Sequence, residues 1–244
     1  MAPTFGMEPG VVPSGCRKEP PRGGTDREKT MAMMSPDPRW SGPVSPGEAR
    51  RVPFALKLAY GGFIGVLVPV YWRAYGPENF LWLSDIALFG TGAAVITEKP
   101  LPAGMMAVGV LPLELAWSAD ILAGGKLLGL ARYMFESNTP LYLRGLSLFH
   151  LALPPTLLWL LRRLGYDRRA LRCQTTLTLA VLPLTYALTE PSKNINWVFG
   201  WGNEPQRTLP PLVYLAFEMA LLPLVVLTPM HALLRRLFRP PGRA

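Results

Sequence analysis

Residues 145–163 read GLSLFHLALPPTLLWLLRR, in which the first seventeen carry one ionisable side chain, His150, and the paired cations Arg162 and Arg163 close the run. A helix rises 1.5 Å per residue and a hydrocarbon core is about 30 Å thick, so such a run is suited to lipid rather than water. Outward from it lie five further apolar blocks, at 53–73, 78–97, 101–124, 171–190 and 208–234. Each is long enough to span. Only 17% of the 244 residues are charged, against about a quarter in soluble domains. A water-soluble enzyme, a collagen-like fibre and a disulfide scaffold are all excluded. Cys16 and Cys173 form no CxxC, and the two histidines, His150 and His231, form no HxxxH or HExxH, so no metal or other cofactor is expected.

Composition changes near residue 52. Residues 1–52 hold nine Pro, seven Gly and eight Lys/Arg with few large apolar side chains, which predicts a disordered basic tail. The membrane domain is expected over 53–236, with a second short basic tail at 237–244. Basic residues set the orientation. With both tails cytoplasmic, 18 Lys/Arg lie inside, including Arg162, Arg163, Arg168, Arg169, Arg172, Arg235 and Arg236, and six lie outside. This bias is the positive-inside signature. It also accounts for the net charge of +9 without nucleic acid, because arginines beside spans anchor helices at anionic headgroups. Trp72, Trp82, Trp117, Trp197 and Trp201 fall near the outer ends and Trp159 near the inner end, as an interfacial belt requires. The expectation is an all-α polytopic bundle of six transmembrane helices in the cell (inner) membrane, with a short interfacial helix near 126–137.

Charged residues in spans cost about 2.5–3.5 kcal/mol at mid-membrane on insertion scales, so those retained face the bundle interior. Asp85, Glu114, Asp120, His150, Glu190 and Glu218 all fall between the outer interface and the midplane. That clustering predicts one polar cavity opening outward. Asp120 and Glu190 are near enough to the surface for simple solvation, and Asp85, His150 or Glu218 alone could serve only to join helices. Prolines in five of the six blocks remove helix hydrogen bonds, which favours a hollowed bundle.

Three stretches, FLWLSDIALF at 80–89, LFHL at 148–151 and SKNINWVFG at 192–200, resemble the YwaF-like six-span integral membrane family, which includes a eukaryotic transmembrane phospholipid acyltransferase. The resemblance implies the six-helix layout and lipid acyl transfer. On that pattern Ser84 is the nucleophile or its replacement, Asp85 orients the imidazole and His150 is the base. The family carries a cysteine where this chain has Ser84, and a serine attacks only when a base deprotonates it. Asn194 and Asn196 would donate to a developing oxyanion. Glu114, Asp120 and Glu218 complete the expected binding set. The functional expectation is an outward-facing cavity that binds or modifies a membrane lipid. The alternatives are a small proton- or cation-coupled transporter and a non-catalytic membrane partner or assembly factor.

Overall fold

Six helical rods follow one another in the computed structural model, which describes residues 52–202 and 204–238. They are α1 (Phe54–Tyr75), α2 (Leu83–Thr97), α3 (Pro100–Leu122), the pair α4 (Leu141–Ser147) and α5 (Phe149–Leu164), α6 (Ala170–Leu188), and α7 (Pro211–Leu221) continued through a π-helical turn, Leu222–Leu227, into α8 (Thr228–Leu237). There is no strand among the described residues. The expected tails fall almost wholly on 1–51 and 239–244, outside those residues.

Helix α3 lies at the centre and packs against α2, α5, α6 and α8. Its residues 106–111 are buried in one unbroken run, the signature of a helix enclosed on all sides. Small side chains permit the closeness. A Cβ on Gly109 would stand 2.5 Å from the Gln174 amide nitrogen, and one on Gly104 would stand 3.0 Å from the Ala170 Cβ. Close approach at glycine and alanine is the usual way for helices to gain packing where lipid supplies no hydrophobic drive between them. Helix α1 is the opposite case. It packs chiefly on α2 and leaves Phe54, Leu58, Val66 and Trp72 exposed.

Three helical stretches are long and apolar enough to cross a membrane: α1, α3 and the continuous Pro211–Leu237. The other blocks yield shorter helices. In the second, a 3₁₀ turn at Pro77–Leu81 precedes α2, which has only 15 residues. In the fourth, the helix is interrupted at Leu148. The last rod changes register at a proline. Pro223 has no N–H to offer the preceding turn; the backbone widens into the π turn, and the Thr228 hydroxyl donates to the Pro223 carbonyl at 2.7 Å.

The interfacial helix expected at 126–137 is replaced by an irregular loop with one 3₁₀ turn, Arg132–Phe135. Gly124, Gly125 and Gly129 take positive φ, and the backbone N–H groups point at Asp120 rather than along a helix. Trp117 also departs from the expected belt. It is 6% exposed, whereas Trp201 is 74% exposed.

The rods alternate, so the loops collect at two ends. At one, Lys57 pairs with Glu98, and Tyr166 packs near Gly104 and bonds to His231. At the other, Glu78 pairs with Lys193, Asn196 reaches the start of α2, and Tyr71 bonds to Ser147. The expected site residues cluster toward this second end.

Candidate functional site

The centre of the polar cluster is a hydrogen bond between two helices. His150, in the first turn of α5, places Nδ1 2.8 Å from Glu114 Oε2 on α3. The carboxylate is 3% exposed and the imidazole side chain 15%. An ionised carboxylate only accepts, so Nδ1 is the donor in this pair, and in the neutral tautomer that fits this bond the lone pair is on Nε2. Two aromatic rings hold the imidazole flat: Trp117 at 4.7 Å and Phe149 at 4.1 Å between centroids, both stacked. Glu114 and Trp117 are i, i+3 on one face of α3, as are Ser147 and His150 across the α4–α5 junction, and neighbours at that spacing share a side. The two faces meet.

Around this pair stand further polar groups. Asp85, 3% exposed on the first turn of α2, accepts a hydrogen bond from the Asn79 amide at 3.3 Å, while its other oxygen, Oδ1, is buried without a hydrogen-bond partner. Its carboxyl group is near enough to Glu114 for the two to act on each other electrostatically. Tyr71 Oη lies 2.9 Å from Ser147 Oγ, and Tyr133 approaches both Ser147 and Trp117. Burial pushes the Tyr133 hydroxyl up to about 12, so it stays a neutral donor. A cavity of about 330 Å³ is lined by Ala74, Tyr75, Asn79, Trp82, Lys193 and Ile195. Asn79 is thus both a wall of the cavity and a partner of the buried carboxyl.

The expected residues therefore separate into two groups. Asp85, Glu114 and His150 share one polar region, but His150 pairs with Glu114 rather than with Asp85. Ser84 is half-buried beside Asp85, and no hydrogen bond joins it to the imidazole. Asp120, Asn194 and Asn196 are committed to the scaffold. Asp120 is fully buried; Oδ1 accepts from the N–H groups of Leu127, Leu128 and Gly129, and Oδ2 from that of Ala131 at 2.7 Å. Asn196 fills the break before α2, donating to the Leu81 carbonyl at 2.8 Å and accepting from the Leu83 N–H at 2.8 Å. Asn194 closes its own loop, donating to the carbonyls of Gly200 and Gly202 and accepting from Phe199 N–H. Both asparagines sit in the left-handed region, at φ 39° and 53°, where Asn is favoured among side-chain-bearing residues. With both amides engaged in this way, the oxyanion role expected for them has no free donor.

Glu218 is buried on α7 with Oε2 unpartnered, and no hydrogen bond links it to the central pair. Glu190 lies past the end of α6 and accepts from Ser192. Tyr71, Tyr133 and Ser147, and the place of Trp117 beside His150, escaped the sequence reading because neutral side chains among apolar neighbours look like packing. For Trp117 and Ser147, the i, i+3 spacing from Glu114 and His150 was the available signal.

Comparison with known proteins adds no relative: no family model, no curated protein and no solved structure matches the chain.

Proposed function

We propose that the protein is a six-span membrane protein, with both termini cytoplasmic, whose outward-facing polar pocket binds a membrane lipid and carries out acid–base chemistry on it. The observation that carries this reading is the Glu114–His150 bond at 2.8 Å, with the imidazole stacked on Trp117 and Phe149. A carboxylate that fixes the tautomer of a histidine leaves Nε2 as a positioned base. No described side chain donates a hydrogen bond to that nitrogen, so the hydroxyl it activates belongs to the lipid or to water. Ser84 is the alternative nucleophile, as the resemblance to the YwaF-like family implies, and would need to turn toward the imidazole. Asp85 Oδ1, buried and without a partner, is the group aimed at a donor on the headgroup. Lys193 and Asn79 on the cavity wall suit a phosphate and a glycerol hydroxyl.

The membrane part of the reading is supported by the three apolar stretches, the alternating rods and the charge bias of 18 to 6. Reporter fusions after Arg168 and after the C-terminus should read as cytoplasmic, and one after Asn203 as external. For the chemistry, the purified protein would be placed in liposomes of defined phospholipids and the acyl composition followed by mass spectrometry. The parent should alter it and His150→Gln should not, at equal thermal stability. An unchanged lipid profile with the parent would overturn the catalytic reading.

A further inference from the structure

The opposite end of the bundle holds a second cluster that the pocket does not use. Tyr166, between α5 and α6, is 1% exposed. Its hydroxyl lies 2.6 Å from Nδ1 of His231 on α8. A phenol is the natural donor to a neutral imidazole, so Nδ1 accepts and the ring proton sits on Nε2, which has no hydrogen-bond partner among the described residues. His231 is half-buried, and both Arg168, from the α5–α6 loop, and Arg235, one turn further along α8, are close enough to act on it electrostatically. Both guanidinium groups are on exposed residues, and neither has an ion pair or hydrogen bond among the described residues. The only acidic side chain of that loop is already taken: Asp167 holds Arg169 through its guanidinium at 2.8 Å and through its backbone N–H at 2.9 Å. Arg169 in turn keeps the Asp167 carboxyl below the usual carboxylate range. One oriented N–H is thus flanked by two exposed cations from separate elements, Arg235 one turn further along the same face of α8 and Arg168 two residues past the Tyr166 that bonds to His231.

We propose that Arg168, Arg235 and His231 form a binding site for the phosphate of an anionic phospholipid in the inner leaflet. Guanidinium groups match phosphate oxygens with two parallel N–H donors each, which a scattered set of surface cations does not achieve. The lipid, rather than a soluble phosphate, is the occupant because Arg235 stands at the end of an apolar stretch whose flank away from it exposes Leu233 and Leu237, which puts the cation at the level where a helix surrounded by acyl chains meets the headgroups. Tyr166 is the positioning residue: it touches no lipid and fixes which imidazole nitrogen donates. General attraction of basic loops to anionic lipid needs no such convergence and would treat every arginine alike. The inference rests on the membrane reading but not on the chemistry at Glu114 and His150.

The full chain would first be tested for resistance to alkaline carbonate extraction, then placed in nanodiscs of phosphatidylcholine with increasing phosphatidylglycerol, and bound lipid counted by native mass spectrometry. An Arg168→Gln/Arg235→Gln double variant should lower phosphatidylglycerol affinity at least tenfold. The matched double variant Arg162→Gln/Arg172→Gln should change it less than twofold. Tyr166→Phe should give a smaller loss, about threefold, with thermal stability unchanged in detergent free of anionic lipid. His231→Gln, which can still donate, should restore most of the affinity in the Tyr166→Phe background, which a purely packing role would not allow. Equal losses in the two arginine doubles would reduce the effect to diffuse charge and overturn the site. Competition by millimolar glycerol 3-phosphate or inorganic phosphate at lipid-like affinity would overturn the lipid as occupant. Extraction by carbonate would overturn the membrane reading itself, an outcome distinct from a membrane-integral protein whose double variant binds lipid normally.

Discussion

Two carboxylates on α3, Glu114 and Asp120, are buried almost equally, at 3% and 0% exposure, yet they have opposite roles. Asp120 accepts four backbone N–H groups from residues 127–131. It organises the loop after α3 and has no capacity left for a ligand. Glu114 meets a titratable side chain, His150, whose second nitrogen is unoccupied. Burial alone therefore does not say how a carboxylate is used. What distinguishes the two is whether the partner is fixed backbone or a group that can gain and lose a proton.

The strongest way to break this contrast is Asp120→Ala. It would leave the loop's N–H groups without their acceptor in a buried site, where each costs about 1–3 kcal/mol. A loss of about 3 kcal/mol or more is expected, seen as a large fall in thermal midpoint in detergent or a failure to accumulate. A loss under about 1 kcal/mol would show that water replaces the carboxylate there. Glu114→Gln should behave differently. The amide can still bond to His150, so stability should fall by about 1 kcal/mol or less, while the imidazole loses its tautomer control and lipid-directed activity falls about a hundredfold or more. Equal stability losses at the two positions would erase the distinction.

Asn196→Ala sharpens the comparison from another side, since Asn196 resembles Asp120 in serving backbone. It should destabilise by about 1–3 kcal/mol through the uncapped start of α2, measured by thermal melting, and reduce activity only in step with folded fraction. The smallest effect concerns the cavity rim. The Lys193 ammonium holds the exposed Glu78 carboxyl below its ordinary value of 4.5. Because the folded-state value is depressed, the contribution of this pair is complete above 4.5 and fades as pH falls through the folded value. Glu78→Gln should flatten that slight acid-side dependence of the melting temperature and lower the neutral-pH value by the same small amount that the parent loses on acidification.

The helical class, the position of the long apolar stretches and the concentration of ionisable residues toward one end were all legible in the linear chain. Each depends on period, length and count along one dimension. Helix lengths were less legible. The second apolar block becomes a 3₁₀ turn and a 15-residue helix because Asn196, more than a hundred residues away, supplies an amide that terminates one segment and starts the next. The loop at 126–131 misled for the same kind of reason. Its leucines have a helical spacing, but three glycines turn the backbone through positive φ and the buried Asp120 carboxylate accepts its N–H groups.

By itself, the sequence determined that this chain forms apolar helices, that its charge is asymmetric and that Asp85, Glu114 and His150 lie at similar depth. Only the tertiary structure decided that the histidine pairs with Glu114 and not with Asp85, and that Asn194 and Asn196 serve the backbone. Depth along a helix is a matter of counting residues. Which side chains meet depends on the rotation of each helix about its axis, and that is set by packing against α3, where glycine and alanine let the neighbours close in.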